Sequence, residues 1–397
     1  MRLRIMVNKL LHEEVQKAAE QLRASLRELI LAAGCDPLKP QAVHRHINVD
    51  RVLCWKVSRM VRAERIEEAL LQLPGEEALS IFITAFTPTT AGEVRIEAAR
   101  AGALGLNIAI NNHVGNRRTL QLMLDSVPQG QDALGQSRKL LFRGASGLWG
   151  IQAKERMQLI MLAPNAANGE LVDVVTATGW VDVKRMRPDA RWRMVRHHVQ
   201  PDGRSDLCSK PLSASTTLGQ SMLLPEFCED VPPLITHAED NITYYELGPS
   251  ATGRVGAFSL FLGEIQRGLG SRYAHTKGEA AQFCVNVLAP AEHLTLDVLV
   301  HRSLKMLDGA ELSLFSAAFN DGRKFSDFER MGLDPEGVEL ENLASLDNRH
   351  YPRHRELVHF TAERAGWDLG DFVGMRFEID YPPFPSVARF RAPLEAA

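Results

Sequence analysis

Arg51, Trp55 and Arg59 recur every four residues, with Lys56 beside them and Arg45 and Arg62 on either flank. A guanidinium is always charged, and its planar fork of N–H donors matches the paired oxygens of a phosphate. An indole adds a flat apolar surface and one N–H donor. Side chains four apart share one face of a helix. This set has the chemistry of a ridge that binds a phosphate-rich polyanion.

The elements around the ridge are short and sharply patterned. Read as a helix over 49–62, at 100° per residue, the segment places Val49, Val52, Leu53, Cys54, Val57, Met60 and Val61 on one apolar arc. Arg51, Trp55, Ser58, Arg59 and Arg62 fall on the opposite arc, and Lys56 lies at the apolar edge, where its stem can lie flat. Asp50 suits the N-cap, because its carboxylate can accept an orphan backbone N–H. A short helix over 40–47 precedes it. Asn48 sits in the turn, and Asn tolerates the left-handed backbone that a tight turn between helices requires.

Residues 40–62 resemble the bacterial helix-turn-helix family, whose usual form is Ala, three residues, Gly, an aliphatic and a Ser-like cap. Here those places hold His44, Arg45–His46–Ile47, Asn48, Val49 and Asp50. His44 departs from the small residue that lets two helices approach, and Asn48 departs from glycine. The resemblance covers this segment alone. It implies duplex DNA as partner, with Arg51, Trp55, Lys56 and Arg59 at the major groove or its rim and Arg45 and Arg62 holding phosphates. The competing reading is an ordinary amphipathic helix packed in a bundle, its arginines merely solvated.

Other chemistries leave weaker traces. His350, His354 and His359 have spacings that one helix could turn into metal ligands, but Pro352 interrupts them and the surroundings are basic. Asp297 and His301 lie four apart in an apolar run. Such a pair can orient a general base, yet no nucleophile accompanies it, and a buried structural hydrogen bond is the simpler expectation. Lys184, Arg185, Arg187, Arg191, Arg193 and Arg196, followed by His197 and His198, form a second cationic run. The segment Gly248-Pro-Ser-Ala-Thr-Gly253-Arg254-Val255 has the glycine spacing of a phosphate loop without its lysine and hydroxyl, so it reads as a loop between strands. Ser146 lacks the glycine pattern of a nucleophile elbow. No catalytic, cofactor or metal set emerges, and the expectation leans away from an enzyme.

The 397 residues suggest two or three domains, and 45% hydrophobic with 24% charged residues is ordinary for a globular protein. The net charge of −3 hides an asymmetry: residues 1–62 carry twelve Lys/Arg against six Asp/Glu, which is +6, leaving −9 for the rest. A basic head on an acidic body suits attraction to phosphate. Five scattered cysteines without a CxxC pair read as reduced thiols. The basic start is followed by too short an apolar run for a signal peptide, and no stretch is long enough to span a membrane, so a cytoplasmic protein is expected.

The chain reads as α+β. Helical patterns run over 13–33, 64–73, 76–86 and, with glycines at Gly102, Gly105 and Gly115, over 90–127. Residues 1–150 are therefore expected to be all-α and to contain the helix-turn-helix-like segment. Short β-branched runs at 158–163, 171–183, 192–199, 242–247, 283–288, 310–319 and 374–381 make 151–397 a β-rich mixed domain. Residues 200–233 are the expected linker, dividing that domain into two sub-lobes. Small residues in 90–127 permit close helix packing, within the domain or against a second copy, so a homo-oligomer is expected. These observations together lead to a DNA-binding regulator whose β-rich part senses or assembles. The alternatives are a structural or interaction protein, or an enzyme with its site in the β-rich half.

Overall fold

A computed structural model describes residues 11–125, 134–198, 210–213, 222–239, 242–276, 278–317, 327–341, 343 and 346–396. The chain is α+β: helices come first, and a β-rich region follows. It divides into two compact units, 1–134 and 135–397.

The first unit is helical: α1 (Glu13–Ala32), α2 (Pro40–Ile47), α3 (Arg51–Arg62), α4 (Ile66–Leu71), α5 (Glu76–Thr84), α6 (Glu93–His113) and α7 (Arg117–Asp125). The stripe Val15, Ala18, Ala19, Leu22, Leu26, Leu29 and Ile30 of α1 is wholly buried and forms the spine of one core. Gly102 lets α6 come close to α1, since a Cβ there would lie 3.2 Å from the Leu22 Cα. The pattern over 90–127 is two helices rather than one. Gly115, at φ 100°, takes a backbone that other residues rarely adopt, and the chain turns there before α7.

The second unit opens with α8 (Gly135–Trp149) and continues through β1 (Ile151–Pro164), β2 (Leu171–Arg185), β3 (Arg193–His198), β4 (Lys210–Pro211), β5 (Leu234–Glu239), β6 (Ile242–Leu247), β7 (Phe258–Ser271) and β8 (Tyr273–Ala274). Then come β9 (Ala280–Val287), β10 (Ala291–His301), β11 (Glu311–Ser316), β12 (Val338–Leu340), α9 (His354–Ala365), β13 (Phe372–Asp380), β14 (Ser386–Pro393) and β15 (Glu395–Ala396). Seven strands form one sheet in the order β12-β13-β10-β1-β2-β7-β4, with β1 parallel to β10 and the other neighbours antiparallel.

Both faces of that sheet are covered. Met157, Leu159 and Met161 of β1 meet Leu357 and Val358 of α9 on one side. Ile160 and Leu162 meet a second sheet, β11-β14-β9, on the other. Burial on two faces explains the unbroken apolar run Leu159–Ala163 in β1. The expected linker over 200–233 lies partly outside the described residues. Its described pieces join the sheet instead: β4 pairs with β7, and Leu223 and Glu229 bridge to Leu262 and Ser259.

Gly179 of β2 stands opposite Phe261 of β7, whose buried ring lies across the space a side chain would fill. Gly179→Ala must displace that ring. It should cost about 1–3 kcal/mol of stability, seen as a lower urea midpoint at unchanged slope.

Candidate nucleic-acid interface

The turn between α2 and α3 is three residues long, and each has a defined task. Pro40 starts α2, where its missing N–H is not needed. Asn48 ends α2 in the left-handed region, at φ 51° and ψ 42°. His44 donates its Nδ1–H to the Val49 carbonyl at 2.6 Å, so its ring closes the turn rather than blocking it. Val49 is buried beneath it. Asp50 caps α3 by accepting from the Leu53 N–H at 3.0 Å. At the other end, Arg23 of α1 donates to the carbonyls of Val61 and Ala63, which ties the C-terminus of α3 to the core helix.

Cys54, Val57, Ser58 and Met60 make the buried side of α3. Ser58 corrects the helical-wheel reading: it points inward and donates to the Pro37 carbonyl at 2.7 Å. Val52 corrects it in the opposite sense, being 61% exposed on the outer face. A modest rotation of the wheel accounts for both. Burial pushes the Cys54 thiol up to about 11, so it stays protonated and serves as a small apolar residue.

The six residues expected to meet DNA all reach the surface of this unit. Arg45, Arg51, Lys56, Arg59 and Arg62 are exposed, and Trp55 is 48% exposed. The Arg59 guanidinium lies 4.1 Å from the centre of the Trp55 ring, a cation–π contact that holds the arginine along the ridge. Among the described residues, none of these five cations forms an ion pair. A cleft of about 470 Å³ lies beside the ridge, lined by Lys39, Pro40, Gln41, Ala42, Arg45, Arg51 and Trp55. Lys39 and Gln41 had no sequence signal beyond their place at the start of α2.

The other candidates disperse. Arg185 is buried and donates to the carbonyls of Leu247 and Gly248, and Lys184, Arg187 and Arg191 lie near Asp182, Asp189 and Glu246. The side chains of Arg196, His197 and His198 lie outside the described residues. Ser146 is buried within α8 and donates to the Phe142 carbonyl. Gly248 to Val255 connects β6 to β7, as a loop between strands should.

The three histidines point apart. His350 stacks on His293 with ring centres 3.8 Å apart, and burial, reinforced by the charges of His293 and Arg349, lowers it to about 4. His359 is exposed on α9. His354 is fully buried and donates Nε2–H to Asp297 at 2.7 Å.

Asp297 therefore pairs with a histidine 57 residues away and not with His301, which bonds Ser303 instead. Four residues along a strand span about 13 Å, out of reach of one hydrogen bond. Burial opposes the ionisation of Asp297, but two contacts from Arg376 and the one from His354 prevail and hold the carboxyl below its usual range. Among the described residues, no set of His, Cys, Asp or Glu is placed to hold a metal ion. No helix among them is long and apolar enough to cross a membrane.

No family model matches the chain, and no curated protein matches it. A crystal structure from Parabacteroides distasonis, of a protein provisionally described as a protease, aligns at 8% identity over 61% of this chain and 40% of that one. Its TM-score of 0.24 carries no argument for a shared fold or activity.

Three outcomes test these local structures. Asn48→Gly should be as stable as the natural chain, whereas Asn48→Ala should lose about 1–2 kcal/mol, because glycine and asparagine accept the left-handed region and alanine does not. Asp297→Asn removes the carboxylate that Arg376 and His354 share, and should destabilise by about 3–5 kcal/mol. His301→Ala should move the urea midpoint by less than about 0.5 kcal/mol equivalent.

Proposed function

We propose that this protein binds duplex DNA through the outer face of α3 and acts as a cytoplasmic transcriptional regulator. One observation carries the reading: a row of exposed cations that, among the described residues, have no ion-pair partner, centred on a half-exposed indole, on the second helix of a helix–turn–helix pair. Arg51, Trp55, Lys56 and Arg59 meet the major groove in this reading, and Arg45 and Arg62 hold the phosphates on either side.

Exposed Val94, Leu104 and Ile108 on α6 support a second copy as partner, because one short helix reads few base pairs and paired half-sites are the usual remedy. The β-rich unit is then the sensing or assembly part.

The test is the salt dependence of binding to a mixed-sequence duplex. Affinity should fall linearly in log–log form as salt rises, since each phosphate contact releases counterions. The double variant Arg45→Gln/Arg62→Gln, at the two phosphate-holding positions, should reduce that slope by about 2 in magnitude with an unchanged thermal midpoint, both residues being exposed. Binding that is absent, or indifferent to salt at low ionic strength, contradicts the proposal.

A further inference from the structure

Resting on that reading, we infer that α3 also selects sequence, and that Val52, with the edge of the Trp55 indole, receives the C5 methyl group of a thymine. Val52 is 61% exposed in the first turn of α3, three residues before Trp55 and so adjacent to it on the helix surface. It has no polar atom to offer a phosphate. In a docked recognition helix the N-terminal residues reach the base edges, and the apolar group that B-DNA displays in its major groove is the thymine methyl.

The surroundings argue against an apolar protein surface as occupant of this patch. Arg51, Lys56 and Arg59 border it, and among the described residues no carboxylate pairs with them. An apolar protein surface would have to bury those three charges unpaired. Duplex DNA supplies phosphates for the cations and a methyl for the valine in one ligand. Arg59 stacked on one face of the indole fixes the ring, leaving its edge and Val52 as the apolar reader between two cationic flanks.

The experiment enriches duplexes from a random library with the full chain. The enriched pool is then copied with either thymidine or deoxyuridine, which pair alike and differ by that methyl. The expected result is a fixed thymine in the enriched sequences and about fourfold weaker binding of the deoxyuridine copy, the effect of one buried methyl-sized group. Val52→Ala should erase the difference between the two copies without changing the salt slope, and Val52→Thr, which keeps one methyl, should restore part of it.

Equal binding of the two copies, or enrichment without thymine, overturns the inference and leaves salt-dependent DNA binding standing. A difference that survives in Val52→Ala overturns the assignment to this residue. Failure of every duplex to bind in a salt-sensitive way overturns the DNA reading itself.

Discussion

The backbone reversal at Asn48 decides which side of α3 meets solvent. Its φ of 51° would strain most side chains, and the structure holds it from both directions. The His44 ring bonds the Val49 carbonyl, and Asp50 captures the Leu53 N–H. With the entry angle set, Cys54, Val57 and Met60 fall onto the core and Ser58 onto the Pro37 carbonyl. Arg51, Trp55 and Arg59 are outward as a consequence, since they lie on the opposite side of the same helix. The orientation of the ridge is thus inherited from the turn and the buried side together.

The β-rich unit uses charge in a different way. Arg156 is buried and bonded to backbone carbonyls and Gln158, with its guanidinium 4.6 Å from the Trp180 ring centre. Burial lowers its pKa to about 9. Glu155, one residue away and so on the opposite face of β1, accepts from Thr295 and Asn348. Burial there raises its pKa. Asp297, His354 and Arg376 complete a polar layer beneath α9. Such groups cost free energy to bury and are expensive to disturb singly, so they specify how α9 and the strands fit. Asp297, His354 and Arg376 partner one another, whereas Arg156 and Glu155 bond other groups of the same unit.

What could be read from the chain follows the range of the interactions. The α2–turn–α3 segment was legible because Pro40, Asn48 and Asp50 act on their immediate neighbours. The strands at 151–164 and 171–185 announced themselves through β-branched runs, although their full lengths did not. The strand over 258–271 and that over 386–393 went unread, because their partners in β2, β9 and β11 lie 70 or more positions away. Asp297 and His354 met for the same reason, through the fold and not through spacing. Val52 and Ser58 were misplaced by a small rotational offset, which one sequence alone does not resolve when an apolar arc is broad.

The most direct measurement is backbone hydrogen exchange of the full chain, with and without a mixed-sequence duplex at low salt. Protection should be confined to peptides spanning residues 39–62, including the turn at Asn48. Protection concentrated in 151–397 with none in 39–62, or no change anywhere, would contradict an outward-facing DNA-binding ridge on α3.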